Sequence, residues 1–160
     1  MSFVVRYADP LCPEARELIA ALDAELSGHY DEENNFPLAP EELVDDRIDF
    51  FMAETFDGEK VGTIALRRYK DYAEIKRMFV APSARGKGAA RALLKAAHES
   101  ARQHGFKTVR LETGSYQDAA IALYESAGYQ RRGAFGDYPP ESDQNIYFEH
   151  ALPIEEAARS

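Results

Sequence analysis

The hydrophobic period of the chain changes at Ala81-Pro82, and this change constrains the fold more than any other feature. Before it, residues 48–56, 61–69 and 72–80 are three β-rich runs. Asp57-Gly58-Glu59 joins the first two and Lys70-Asp71 the second pair, so the spacing predicts an antiparallel meander of hairpins. After it, Ala90, Leu93, Leu94, Ala97 and Ala101 fall at i, i+3, i+4, i+7 and i+11. That is one face of a helix from about Gly88 to His104. Gly105 and the apolar Phe106 read as its C-terminal cap, and Thr108 to Thr113 reads as a strand. Asp118 to Ala127 reads as another helix, closed in the same way by Gly128 and Tyr129. Upstream, Phe3 to Tyr7 is β-prone. Pro13 opens a helix carrying Leu18, Ile19, Leu22 and Leu26, with Gly28 as its stop. Residues 30–40 read as a loop or broken helix, and Asn145 to Leu152 as a last strand. The expected order is β α β β β α β α β β. This is an α/β mix, a mixed sheet with an antiparallel first half, in one domain spanning 1–160.

The 160 residues carry a formal charge of −9, but the charge is unevenly distributed. Residues 1–60 balance at −12, residues 61–132 at +8 and residues 133–160 at −5. The total argues against nucleic acid as a partner. No run approaches the roughly 18 apolar residues of a membrane span, and the start lacks a signal-peptide core. One cysteine, Cys12, allows no intrachain disulfide. With the missing signal, this points to a cytoplasmic protein with neither membrane nor nucleic-acid partners. His29, His98, His104 and His150 show no metal-ligand spacing, so no metal is expected.

The basic stretch holds Arg85-Gly86-Lys87-Gly88-Ala89-Ala90-Arg91, between a strand and a helix. Its small residues bare the backbone, and the first N–H groups of a helix lack intrahelical partners. Cations at that end oppose the helix dipole, whereas a bound anion offsets the conflict. A Walker A loop is excluded because Gly88 follows Lys87 where Ser or Thr is required. A dinucleotide fingerprint fits poorly, because the preceding strands form a meander and Arg91 stands where Gly is wanted.

A third anion loop matches. Arg85-x-x-Gly88-x-Ala90 resembles the coenzyme A pyrophosphate loop of the GNAT (Gcn5-related N-acetyltransferase) family. The run 74–82, Glu-Ile-Lys-Arg-Met-Phe-Val-Ala-Pro, resembles that family's fourth strand. Residues 120–129, Ala-Ile-Ala-Leu-Tyr-Glu-Ser-Ala-Gly-Tyr, resemble its second signature, a helix beside the cofactor thiol. The resemblance covers about residues 61–148. It implies the acyl-CoA N-acyltransferase fold, with splayed fourth and fifth strands and acetyl-CoA between them. It further implies acetyl transfer to a primary amine of a small molecule or peptide, by direct attack in a ternary complex. A non-catalytic CoA-binding or sensing module and the use of another acyl-CoA are the alternatives. Homodimers are common among such proteins.

Under this resemblance, Met78, Phe79 and Val80 supply backbone contacts to the cofactor, and Arg85, Gly86, Lys87, Gly88, Ala89 and Ala90 hold its phosphates. Gln117 stands where many members carry Asn, and the resemblance implies that its longer amide reaches the cofactor. Tyr124 protonates the leaving thiolate. Glu74 and Glu112 are the candidate bases, as acids within strands, and Glu74 has pairing with Lys76 or a neighbouring Arg as its competing role. If the strand is regular, Glu74, Lys76 and Met78 share one face, and Ile75, Arg77 and Phe79 the other. The Phe135-Gly136-Asp137-Tyr138-Pro139 loop borders the acceptor site in such folds. Tyr138 and Glu112, with Glu32 and Glu33, are expected to receive a small cationic amine.

Overall fold

A computed structural model describes residues 2–27 and 38–153. Gly28, His29, Glu32 and Glu33 lie outside the described residues. The strands are β1 (Val4–Tyr7), β2 (Ile48–Glu54), β3 (Lys60–Arg68), β4 (Ala73–Val80), β5 (Thr108–Gly114), β6 (Gln130–Arg132) and β7 (Asn145–Ala151). The α-helices are α1 (Pro13–Leu26), α2 (Ala89–Gln103) and α3 (Asp118–Ser126), and short 3-10 turns occupy Pro40–Leu43 and Pro82–Ala84. They form the expected order around one seven-stranded sheet, β1-β2-β3-β4-β5-β7-β6. All neighbours are antiparallel except β4 and β5, which run parallel. Among the described residues, no helix is long and apolar enough to cross a membrane.

Alternation along the strands builds a core on each face of the sheet. Phe50, Met52, Ala65 and Phe79 pack under Leu18, Ile19 and Leu22 of α1. Phe51, Ile64, Leu66, Ile75 and Leu111 pack under Leu93, Leu94 and Ala97 of α2, with Tyr124 and Phe148 in the same cluster. The β2–β3 connection is longer than expected. β2 ends at Glu54 behind a bulge, and Phe56 sits in the turn, 77% exposed. The turn closes through Gly58 N–H to the Thr55 carbonyl at 2.9 Å and Thr55 N–H to the Glu59 carbonyl at 3.0 Å.

The two helix ends follow the same capping rule. Phe106 N–H reaches the Ala101 carbonyl and Gly105 N–H the Arg102 carbonyl, both at 2.9 Å. Tyr129 N–H reaches the Tyr124 carbonyl at 3.0 Å and Gly128 N–H the Glu125 carbonyl at 3.1 Å. Both are Schellman closures, with the glycines at positive φ. Tyr129 then enters the core, where its hydroxyl lies 2.6 Å from His98 Nε2 on α2.

Burial pushes the His98 imidazole down to about 4, and the neighbouring His150 adds to the effect. The unfolded chain therefore binds a proton near pH 6.5 that the folded chain refuses until about pH 4. Stability from this group is complete above pH 6.5 and is lost as pH falls through that window. Melting curves between pH 7 and 4 should show a loss of roughly 2–3 kcal/mol from this site. His98→Gln should flatten the dependence. An equal slope in the variant would assign it to other groups.

Candidate active site

β4 and β5 part company halfway along. Their parallel pairing covers Ala73–Val109, Glu74–Arg110 and Ile75–Leu111 and stops there, although β4 continues to Val80 and β5 to Gly114. Just beyond the last pair, β4 carries a bulge. Lys76 pairs with Ala65 and Phe79 with Thr63, so Arg77 and Met78 stand opposite Ile64 alone. Arg77 has φ 51°, unusual for a residue with a side chain. Thr63 Oγ1 donates to the Arg77 carbonyl at 2.8 Å, and the Arg77 guanidinium pairs with Asp23 of α1. These contacts hold the strained residue in place.

The bulge overturns the regular alternation expected for β4. Met78 and Val80 pack with Ile75 against the α2 core, while Phe79 joins the α1 core and Arg77 reaches α1. Glu74 and Lys76 remain on the α1 face, without Met78. An inserted residue shifts every later side chain to the opposite face.

After β4 the chain turns through Pro82–Ala84 into the basic loop. Arg85 Nε donates to the Val80 carbonyl at 2.9 Å, and its Nη2 pairs with Glu25 of α1 at 2.7 Å. Lys87 Nζ donates to the Ser83 carbonyl at 3.0 Å. Gly86 and Gly88 have φ of 75° and 97°, and a Cβ on either would meet nothing within 4 Å. Gly88 is the N-cap of α2; no side chain caps that end and no acid stands in its first turn. Arg91, one turn in, donates to Ser126 Oγ of α3 at 2.9 Å.

Tyr124 lies on the α2 face, with its hydroxyl 3.5 Å from Met78 Sδ. Its ring packs against Tyr129 and Phe148, and burial pushes its phenol well above the usual range, with the charge of Glu112 adding to the rise. Gln117 precedes α3 and turns back to the end of β5. Its Oε1 accepts from Thr113 Oγ1 at 2.7 Å and from Gly114 N–H at 3.3 Å.

The α1 face holds a second cluster. Glu74 is 1% exposed. Tyr138 donates to Glu74 Oε2 at 2.5 Å, Lys76 Nζ donates to Tyr138 Oη at 2.8 Å, and Lys76 lies 3.3 Å from Glu74. The pairing with Lys76, one of the two roles weighed for Glu74, is present, and the residue lies one position before the end of the β4–β5 pairing. Phe135 and Tyr147 pack edge-to-face or tilted against Tyr138. Glu112 lies opposite Tyr147 across β5–β7 and accepts from Asn145 Nδ2 at 2.9 Å. Its charge raises both Tyr124 on one face and Tyr138 on the other, so the gap between β4 and β5 joins the two clusters electrostatically.

Residues 15–129 match the model of the acetyltransferase (GNAT) family. The chain belongs to this family. It is 40% identical over 134 residues to an IAA acetyltransferase of Azospirillum brasilense, covering 82% of this chain and 87% of that one. A Klebsiella pneumoniae structure described as an acyl-CoA N-acyltransferase superposes with a TM-score of 0.78 at 34% identity, over 94% of this chain and 97% of the other. The fold is also that of a PaiA N-acetyltransferase of Thermoplasma acidophilum in complex with coenzyme A. There the TM-score is 0.74 at 20% identity, over 94% and 99% of the two chains.

This GNAT protein is thus an acetyl-CoA-dependent acetyltransferase acting on an amine. Its basic loop fits the polyphosphate of the donor. The α2 N-terminus lacks a side-chain cap, and the space above Gly86 and Gly88 is open. Sequence reasoning treated Lys76 only as a pairing partner and missed its bond to Tyr138. It also missed Tyr69, whose phenol is pushed up to about 12 by burial and then by the charge of Glu74. The signal for both lies in strand register, which pattern alone leaves open across a bulge.

Proposed function

We propose that the amine and the acetyl donor meet across the gap between β4 and β5, with Glu74 as the base and Tyr124 as the acid. The supporting observation is that pairing ends at Ile75–Leu111 with Glu74 on one face of the sheet and Tyr124 on the other. Acetyl-CoA supplies an acetyl group activated as a thioester. Arg85, Gly86, Lys87, Gly88, Ala89 and Ala90 hold its phosphates through the open α2 N-terminus. The backbone at Met78, Phe79 and Val80 lines its path beside the bulge. Gln117 acts through the β5–α3 turn it ties together.

The acceptor is a small-molecule or peptide amine entering from the α1 face. Glu74 takes the proton that the amine must lose, and Lys76 and Tyr138 hold the carboxylate in place. Tyr138 and Glu112 border the entering amine. Tyr124 gives its proton to the departing sulfur as the C–S bond breaks, and solvent then reprotonates the phenolate and takes the proton held by Glu74 before the next turnover. Residues 1–160 act as one catalytic domain, and the lone thiol Cys12 supports a cytoplasmic setting.

The test is an acetylation assay over a panel of amines alongside calorimetric titration of CoA. Arg85→Glu with Lys87→Glu is expected to weaken CoA binding by at least about a hundredfold, since charge-assisted bonds to phosphate contribute roughly 1.5–3 kcal/mol each. The salt dependence of binding should also diminish. Unchanged affinity would place the phosphates elsewhere.

A further inference from the structure

We propose that the acceptor carries a carboxylate next to its amine, and that Arg67 receives it. The proposal rests on Glu74 being the group that meets the amine. Arg67 lies on β3 as the Cα partner of Glu74 across the β3–β4 ladder, so both side chains share the α1 face. Directly opposed pairs hold their Cβ atoms about 5 Å apart. The Tyr69 ring links the two, lying under the Arg67 guanidinium while its phenol is raised by burial and then by the Glu74 charge.

Among the described residues, the Arg67 guanidinium is the cation of this face without an acid partner. Its Nε is buried without a hydrogen-bond partner. Among the described residues it makes no hydrogen bond or ion pair, and it stacks on the Tyr69 ring, 4.6 Å from the guanidinium carbon to the ring centroid. The other cations of the face are engaged. Lys76 bonds Tyr138 and Glu74, Arg77 pairs with Asp23, and Arg110 and Arg132 both pair with Glu149. The nearby acids are spent as well. Asp45 gives both oxygens to Arg47, whose hydrogen bonds hold its carboxyl below the usual range with a small addition from the Arg67 charge. Glu74 is taken by Tyr138 and Lys76.

A buried guanidinium N–H without an acceptor is costly, and stacking on a tyrosine leaves the Nη end of the fork, on a half-buried residue, to meet a ligand. The group that fits an open guanidinium edge is a planar carboxylate, which accepts two parallel N–H bonds. A singly charged carboxylate also suits the neighbourhood better than a phosphate dianion, because Glu74 and Asp45 stand close by. The acceptor class is therefore a free amino acid or a close relative with amine and carboxylate a few ångströms apart.

The experiment compares matched acceptors: amino acids, their carboxamides and the corresponding decarboxylated amines. Rates are taken at alkaline pH, where all the amines are largely neutral. Wild type should favour the acids over the amides by at least about tenfold in kcat/KM, mostly through KM. Arg67→Met should bring that ratio close to one, and Arg67→Lys should restore part of it. Three results would overturn the proposal: amides or plain amines used as well as acids, an acid preference that survives in Arg67→Met, or no turnover of any acceptor in the panel. CoA titration and the rate of Glu74→Gln over the same panel separate the failures. Tight CoA binding with no acid preference removes the role of Arg67 alone, whereas loss of Glu74 dependence with every acceptor removes the reading beneath it.

Discussion

Glu74→Gln should lower kcat by about a hundred- to a thousandfold, the usual contribution of a positioned base. The substitution keeps the shape of the side chain and can still accept from Tyr138, but it cannot take a proton. An amine reaches the site mostly protonated near neutral pH, and only its neutral form attacks. The residual rate of the variant should therefore climb with pH, following the fraction of acceptor already deprotonated in bulk solvent. Wild type should show a weaker rise over the same range. CoA affinity should hold, because the loop proposed to bind it, Arg85–Ala90, lies beyond the bulge from Glu74.

The competing explanation is that Glu74 exists to neutralise Lys76. Both are poorly exposed and 3.3 Å apart, so removing one charge strands the other in a site with little water. This structural role also predicts a cost, about 1–3 kcal/mol of stability. The two explanations separate on rate per folded molecule. If melting temperature falls while kcat measured well below it does not, Glu74 is structural. If kcat collapses and recovers with pH, it is the base.

Much of the fold could be read from short-range chemistry. Both glycine–aromatic helix ends and the start at Pro13 depend on residues within one turn of each other, which a single sequence displays. The basic loop was legible for the same reason, since small residues, cations and a helix start are contiguous. The β4 bulge was not. It places Arg77 at positive φ, where local preference would put glycine, and is held by Thr63 and by Asp23, 54 residues away. The assignment of faces beyond Lys76 failed with it. The splay of β4 from β5 entered through family resemblance, because nothing in Met78 or Glu112 marks where a ladder stops. Arg67 escaped notice because its meaning depends on a register with Glu74 and on the prior engagement of Lys76, Arg47 and Asp45. Long-range pairing of this kind carries no periodic signal.

Tyr124→Phe should lower kcat by roughly ten- to a hundredfold near neutral pH and leave the fold intact. The ring keeps its contacts with Tyr129 and Phe148, and the hydroxyl forfeits only a weak contact to the Met78 sulfur. Burial and the Glu112 charge hold the phenol protonated throughout any practical assay range, so wild type always has the proton to give. The need for it varies with pH. A thiol of ordinary acidity, with a pKa of about 8.5, departs readily as the thiolate once pH exceeds that value. The deficit of Tyr124→Phe should therefore be largest near pH 7 and shrink above about pH 9. Such convergence distinguishes a proton donor from a packing residue, because a packing defect would lower the rate equally at every pH. Equal rates for the two proteins across the range would leave Tyr124 as a core aromatic and return the question of the acid to the rest of the gap.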